Sequence, residues 1–295
     1  MGEAVMHISF ENVSYSYMRG SPFEKQALDH VNIKIASKTF TALVGSTGSG
    51  KSTLMQLING LLLPTSGQVQ CGDFRLHRKS KRKEVKPLRR KIGMVFQYPE
   101  HQLFGATVEE DMLFGPKHLG LDVERVRKRL PKLLDVVGIS DEVLPVSPFN
   151  LSGGQMRRVA IAGVLATDPE VLILDEPAAG LDPAGHRALL DVLKDWHDRH
   201  GLTTILVTHD MEDAARYAEE VIVMGTGGKP LTSGAPLQVF REAELLADIG
   251  LATPPSVRMV RALQKAGWDI DNLLMEPEAL AAVVAEQWAS VKEEG

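Results

Sequence analysis

Thr41-Ala42-Leu43-Val44-Gly45-Ser46-Thr47-Gly48-Ser49-Gly50-Lys51-Ser52 is a short apolar run that turns into a glycine-rich loop and ends on a lysine and a serine. A brief apolar run bounded by turn residues predicts a buried strand, here Thr41–Val44. The residues after the loop, Lys51–Leu63, carry helical spacing and stop at Pro64, which predicts a helix. Strand, glycine loop and helix in that order are a unit of an α/β protein. The glycines let the backbone curl until consecutive N–H groups point at one spot. The positive N-terminal end of the following helix points at the same spot, so the segment is built to receive phosphate.

The spacing from Gly45 to Ser52 fits the P-loop pattern G-x-x-x-x-G-K-[ST]. Lys51 is expected to reach the β- and γ-phosphates, and the Ser52 hydroxyl to coordinate Mg²⁺. The phosphate-binding set is Gly45, Ser46, Thr47, Gly48, Ser49, Gly50, Lys51, Ser52 and the adjoining Thr53. By itself the pattern says only that a nucleotide phosphate binds, since kinases, GTPases and ATPases share it.

Outward from the loop, other short apolar runs recur at Val171–Leu174, Thr204–Val207 and Val221–Met224. They alternate with longer segments of helical period, the pattern of buried strands and covering helices. Ile8–Tyr17 and Lys91–Phe96 read as further strands, and 184–200 as a helix. Between them helical patterns dominate, at Thr107–Leu119, Val123–Val137 and Gly153–Thr167, which predicts a helical subdomain inserted into the core. A composition shift falls near Ala235–Arg241. Beyond it two helices are expected, Ser256–Ala266 and Pro277–Val291, joined through Gly267 and Asn272.

The 295 residues suit one large domain with an appendage. With 44% hydrophobic and 24% charged residues the composition is that of a globular protein. A net charge of −5 argues against a nucleic-acid partner. Cys71 is the single cysteine, so no internal disulfide can form, and a reducing compartment is expected. The N-terminus lacks a basic segment followed by an apolar one, so no signal peptide is expected. No apolar run approaches the roughly 20 residues that span a bilayer. If the protein works at a membrane, it is expected on the surface.

Val171-Leu172-Ile173-Leu174-Asp175-Glu176 is a strand ending in two carboxylates. In P-loop enzymes such an aspartate supports Mg²⁺, the role expected of Asp175. Glu176 follows as the expected general base or water-orienting group. Leu151-Ser152-Gly153-Gly154-Gln155 precedes a helical run; Ser152 is suited to cap it, and Gly153 and Gly154 offer bare N–H groups. Five specified residues arise by chance in a chain of this length well below about once per thousand sequences.

Leu151–Gln155 resembles the signature motif of ATP-binding-cassette ATPases, and the order of motifs agrees. The resemblance, over about residues 5–240, implies an α/β P-loop NTPase (RecA-like) core. To this core it adds a helical subdomain at about 98–166, an antiparallel β subdomain and a short C-terminal helical extension. The expected division is an ATP-binding domain at 1–240 and a dimerisation extension at 241–295. In that family two subunits pack head to tail, so Ser152, Gly153, Gly154 and Gln155 are expected to act on a partner's ATP. By the same resemblance Tyr17 stacks on adenine, with Tyr15 the weaker candidate. Gln97 senses Mg²⁺ and the γ-phosphate, and Gly180-Leu181-Asp182 couples the two sites, with Asp182 in the nucleotide set. His209 is the switch histidine. The implied catalytic set is Glu176, His209, Lys51 and Gln97, with Ser52, Gln97 and Asp175 on the metal. Ala178 departs from the Thr or Ser of many relatives without touching the carboxylates, so a competent ATPase is expected.

Gln97-Tyr98-Pro99-Glu100-His101-Gln102-Leu103-Phe104 and Leu151–Gly163 are similar to energy-coupling factor (ECF) transporter ATPases, related to the cobalt-importer ATPases. Pro255 through Gly267 is similar to the extension with which those ATPases hold each other. The implied partners are a second, paralogous ATPase, a transmembrane coupling subunit over 97–106, and small substrate-binding membrane subunits. The implied cargo is a vitamin or metal ion, and the implied place the cytoplasmic face of the cell membrane. Three rivals stand beside this reading: a conventional ABC importer ATPase, a soluble ABC ATPase of DNA repair or the ribosome, and a small-molecule kinase. One P-loop and the absence of sustained heptads count against the second, and Leu151–Gln155 against the third. The basic run Arg78-Lys79-Ser80-Lys81-Arg82-Lys83 reads as a solvated loop, or as a surface drawn to anionic lipid.

Overall fold

The computed structural model describes residues 6–270 and 277–293. In chain order the strands are β1 (Ile8–Tyr17), β2 (Lys25–Ile35), β3 (Phe40–Gly45), β4 (Ser66–Cys71), β5 (Phe74–Leu76), β6 (Ile92–Val95), β7 (Val171–Asp175), β8 (Thr203–Val207), β9 (Glu220–Met224) and β10 (Pro230–Gly234). They form two sheets. One is antiparallel, in the order β2-β1-β4-β5. The other runs β10-β9-β3-β8-β7-β6 and is parallel except for β10.

Alternation along the central strands decides which core each side chain joins, because successive residues face opposite sides of a sheet. On β7, Leu172 and Leu174 pack with the helices of the inserted segment, while Val171 and Ile173 pack toward the antiparallel sheet. On β3, Leu43 faces the antiparallel sheet, and Ala42 and Val44 join Phe240 and Val257 on the opposite side. Strands buried on both faces read as continuous apolar runs for this reason. Each fully buried Leu, Ile or Val contributes about 1.5–3 kcal/mol.

The helices are α1 (Lys51–Ile58), α2 (Arg82–Arg89), α3 (Val108–Leu119), α4 (Val123–Arg127), α5 (Leu130–Val136), α6 (Gly153–Leu165), α7 (Pro183–His200), α8 (Met211–Tyr217), α9 (Pro236–Arg241), α10 (Ala243–Asp248), α11 (Pro255–Lys265) and α12 (Pro277–Glu293). Local chemistry sets several ends. Thr107 caps α3 by accepting from the Glu110 N–H at 3.2 Å. Asp182 caps α7, Pro183 opens it, and Gly201 at φ 59° closes it.

Three expectations need correction. The helix after the glycine loop ends at Ile58, not Leu63. Asn59 and Gly60 (φ 66°) stop it, and the Gly60 carbonyl accepts from the Arg89 guanidinium at 2.8 Å. Val123–Val137 is two helices, because Pro131 has no N–H to give the preceding turn. The basic run is not all loop: α2 begins within it and buries Val85 and Leu88. At the tail, α11 and α12 share a small core of Val260, Ile270 and Leu280. Asn272, expected in the connection, lies outside the described residues, as does the N-terminal stretch 1–5.

Candidate functional site

The parallel sheet brings four segments to one edge. The loop 45–50 follows β3, Gln97 follows β6, Asp175 ends β7, and His209 follows β8. Ligands of open α/β sheets bind at this carboxyl edge. Gly50 precedes α1 at φ 93° and offers no side-chain cap, leaving first-turn N–H groups of α1 to an anion. A Cβ on Gly50 would lie 2.6 Å from the Ala27 carbonyl oxygen, so only glycine fits. Ser49 is 1% exposed, and its hydroxyl has no partner among the described residues. Lys51 Nζ donates to the carbonyls of Gly45 (2.7 Å) and Ser46 (3.0 Å). Burial holds its ammonium below the usual lysine range, opposed by the charges of Glu176 and Asp175.

Asp175 is pushed up to about 6 by burial, reinforced by Glu176 and opposed by Lys51. The Glu176 backbone sits at φ 46°, an uncommon conformation for a non-glycine residue, and its N–H donates to the Val207 carbonyl at 3.0 Å. Its carboxylate is held from two sides. Gln97 Nε2 donates to Oε2 at 3.1 Å, and His209 Nδ1 lies 3.1 Å from Oε1. These three residues line a cavity of about 460 Å³ with Thr208 and Gly180. His209 itself is 73% exposed.

A second cavity, of about 200 Å³, is lined by Tyr17, Lys25 and residues 48–53. The Tyr17 hydroxyl lies 3.0 Å from Thr53 Oγ1, which fixes the ring beside the loop. Tyr15 packs edge-on against Tyr17 at 4.9 Å and belongs to the core side, so of the two tyrosines Tyr17 borders the cavity.

Ser52, Gln97 and Asp175 supply only oxygen donors for a metal, since Gln97 commits its nitrogen to Glu176 and keeps its amide oxygen. That set suits a hard cation such as Mg²⁺.

Ser152, Gly153, Gly154 and Gln155 are exposed and line neither cavity. Ser152 and Gln155 form a reciprocal capping box: the Gln155 N–H donates to Ser152 Oγ at 3.3 Å, and the Ser152 N–H to Gln155 Oε1 at 2.9 Å. Asp182 accepts from the N–H groups of Ala184 (3.1 Å) and Gly185 (3.0 Å), and these bonds hold its carboxyl low. The fold therefore gathers Lys51, Gln97, Asp175, Glu176 and His209 at one sheet edge, and leaves 152–155 facing outward.

Sequence reasoning missed two pairs. His186 Nε2 lies 2.9 Å from both oxygens of Asp213, which also accepts from the Thr208 hydroxyl at 3.3 Å. Arg157 forks onto Glu100. The second pair had a signal: Arg157 stands four residues before Ile161 and eight before Leu165, both fully buried, so an arginine on that face needs a counter-charge.

Residues 28–179 match the ABC transporter family. Over 260 residues the chain is 52% identical to the energy-coupling factor transporter ATP-binding protein EcfA2 of Geobacillus kaustophilus (strain HTA426), covering 88% of this chain and 89% of that one. Identity to the protein of the same description from Latilactobacillus sakei subsp. sakei (strain 23K) is 46% over 282 residues, 96% and 97% of the two chains. Among solved structures, cbiO1 from Clostridium perfringens, part of the ABC transporter complex cbiONQ, superposes with a TM-score of 0.72 at 37% identity, covering 89% of this chain and 100% of that one. The dimeric ATP-binding cassette MJ0796 in a post-hydrolysis state with ADP and Pi gives 0.69 at 29% identity, covering 78% and 98%.

Proposed function

Because the chain belongs to the ABC transporter family, and within it to the energy-coupling factor ATP-binding proteins, we propose that it binds and hydrolyses ATP to drive uptake of a vitamin or transition-metal ion through membrane partner subunits. The observation that carries this reading is the Glu176 carboxylate, held between Gln97 and His209 beside Asp175 and the glycine loop. A base fixed from two sides presents its oxygens in one direction, as orienting an attacking water requires.

Around that carboxylate each residue has a distinct task. The 45–50 loop and the start of α1 bind phosphate oxygens through N–H groups, and Lys51 adds a positive charge. Ser52, Asp175 and Gln97 would hold Mg²⁺, which when bound supplies charge neutralisation at the phosphates. Tyr17 offers a half-exposed ring at the mouth of the 48–53 cavity, suited to stacking on adenine. His209 orients Glu176 and bears on the γ-phosphate.

Ser152–Gln155 serve a second subunit, which the outward face of this capped helix start supports. Gln155 already closes the capping box, so the Ser152 hydroxyl and the N–H groups of 153 and 154 are what a partner's phosphate would meet. The partner is a paralogous ATPase packed head to tail, with residues 1–240 as the catalytic unit and 241–295 holding the pair together. The exposed Met259 and Trp288, which border an apolar groove between α11 and α12, support that division. The reading places the chain as a peripheral subunit docked from the cytoplasmic side; among the described residues no helix is long and apolar enough to cross a membrane.

The test is to purify the tagged chain from its native membranes in mild detergent and identify every co-purifying protein by mass spectrometry. A second, non-identical ATPase with one coupling protein and small substrate binders is the expected result. Two large transmembrane subunits would reassign the chain to a conventional importer, and no membrane protein at all would overturn transport.

A further inference from the structure

Arg157 is 4% exposed and its partner Glu100 is nearly as enclosed, with 13% of the side chain in solvent. The fork is bidentate: Nε donates to Glu100 Oε2 at 3.0 Å and Nη2 to Oε1 at 2.7 Å. The remaining Nη1 donates to the Ala179 carbonyl. The guanidinium carbon also lies 5.8 Å from the centre of the Tyr98 ring. Arginine suits this place because a rigid planar fork fixes direction as well as distance, which a lysine ammonium does not.

The three segments joined here are separate in sequence and adjoin different parts of the proposed machinery. Glu100 lies in the 3₁₀ turn Pro99–Gln102, just after Gln97. The turn is entered through Tyr98, held at φ 56°. Ala179 lies between Glu176 and Gly180-Leu181-Asp182. Arg157 follows Ser152–Gln155 by less than one helical turn. One buried side chain thus ties the Gln97 segment and the Glu176 loop, which form this chain's own site, to the helix start that faces outward. Burying a charge pair is costly, and apolar replacements of such pairs commonly leave stability unchanged, so stability alone does not explain it.

We propose that Arg157 is a positioning residue that locks the 97–102 turn, the 176–182 loop and the start of α6 into one rigid unit. A displacement of the 97–102 turn then reaches Ser152–Gln155 as a rigid-body movement. This rests on the proposed function, in which the turn lies under the membrane partner and Ser152–Gln155 meet the second ATPase.

The test uses the complex purified with its native partners and three variants: Glu100→Gln, Arg157→Met, and the charge-free pair Glu100→Met with Arg157→Met. Steady-state ATP hydrolysis gives kcat and KM, and thermal melting reports folding. Each single change is expected to lower kcat by about tenfold with KM for ATP within about twofold, since positioning and not binding is lost. The charge-free pair is expected to melt like wild type yet turn over as slowly as the single variants. Wild-type turnover in that pair would overturn the proposal and leave a purely structural ion pair. So would losses in the two singles that multiply in the double, or a rise in KM matching the fall in kcat. A wild-type complex without ATP turnover would instead remove the proposed function beneath it.

Discussion

His209 Nδ1 lies 3.1 Å from Oε1 of Glu176, a contact between the loops that follow β8 and β7. The two come together because β7 and β8 are adjacent and in register, with Asp175 opposite Val207.

Glu176→Gln keeps the shape and the contact with Gln97 but removes the carboxylate proposed as the base. ATP binding should persist, and turnover should fall by about 10²-fold or more. Equilibrium binding of a fluorescent ATP analogue beside steady-state phosphate release checks both. Unchanged release would take Glu176 out of its role.

His209→Ala frees one side of the Glu176 carboxylate. If histidine acts mainly through that glutamate, its loss added to Glu176→Gln should slow the reaction by no more than about twofold further, as expected of residues that work as a unit. Independent, multiplying losses would separate the two residues.

Tyr17→Phe loses only the bond to Thr53, whereas Tyr17→Ala loses the ring. Stacking on a base is worth about 1–3 kcal/mol, so the alanine variant should raise KM for ATP by roughly tenfold and phenylalanine should stay near wild type. Equal behaviour of the two variants would place adenine elsewhere.

Asp175, raised to about 6, gives a pH signature. An unfolded aspartate titrates near about 3.9, so the fold disfavours the ionised form. Wild type therefore loses stability as pH rises from about 4 to about 6, and the loss is complete above that range. Asp175→Asn does not titrate. In nucleotide-free melts its Tm should match wild type near pH 4 and exceed it at pH 7, by at most about 3 kcal/mol of stability before solvent screening. A gap that stays constant with pH would refute the shift.

Met259→Glu places a charge on the rim of the groove between α11 and α12, where the side chain is exposed. The variant should fold normally and bind the proposed second ATPase at least about tenfold more weakly. Undiminished association in analytical ultracentrifugation would free the extension from that role.

Local chemistry made most of the site legible. The glycine loop, the strand ending in Asp175-Glu176 and the Ser-Gly-Gly helix start are contiguous motifs whose spacing is the mechanism. The antiparallel sheet was harder. β4 pairs with β1 across 52 to 63 positions of chain, and β2, β4 and β5 lack the long apolar runs of the parallel strands, since one face of each is partly solvated. Helix α2 was hidden because its charges outnumber Val85 and Leu88, the residues that anchor it.

The sequence by itself determined that a phosphate loop precedes a helix, that two carboxylates end a buried strand, and that a capped helix follows Leu151. These depend on neighbours a few residues apart. Only the tertiary structure decided that Gln97 and His209 meet on Glu176, that Tyr17 rather than Tyr15 borders the loop, and that Arg157 closes on Glu100 and Ala179. Those contacts join residues from 22 to 79 positions apart. Strand order brings them within reach, and strand order arises from burying both faces of the sheet at once, which no short stretch of sequence encodes.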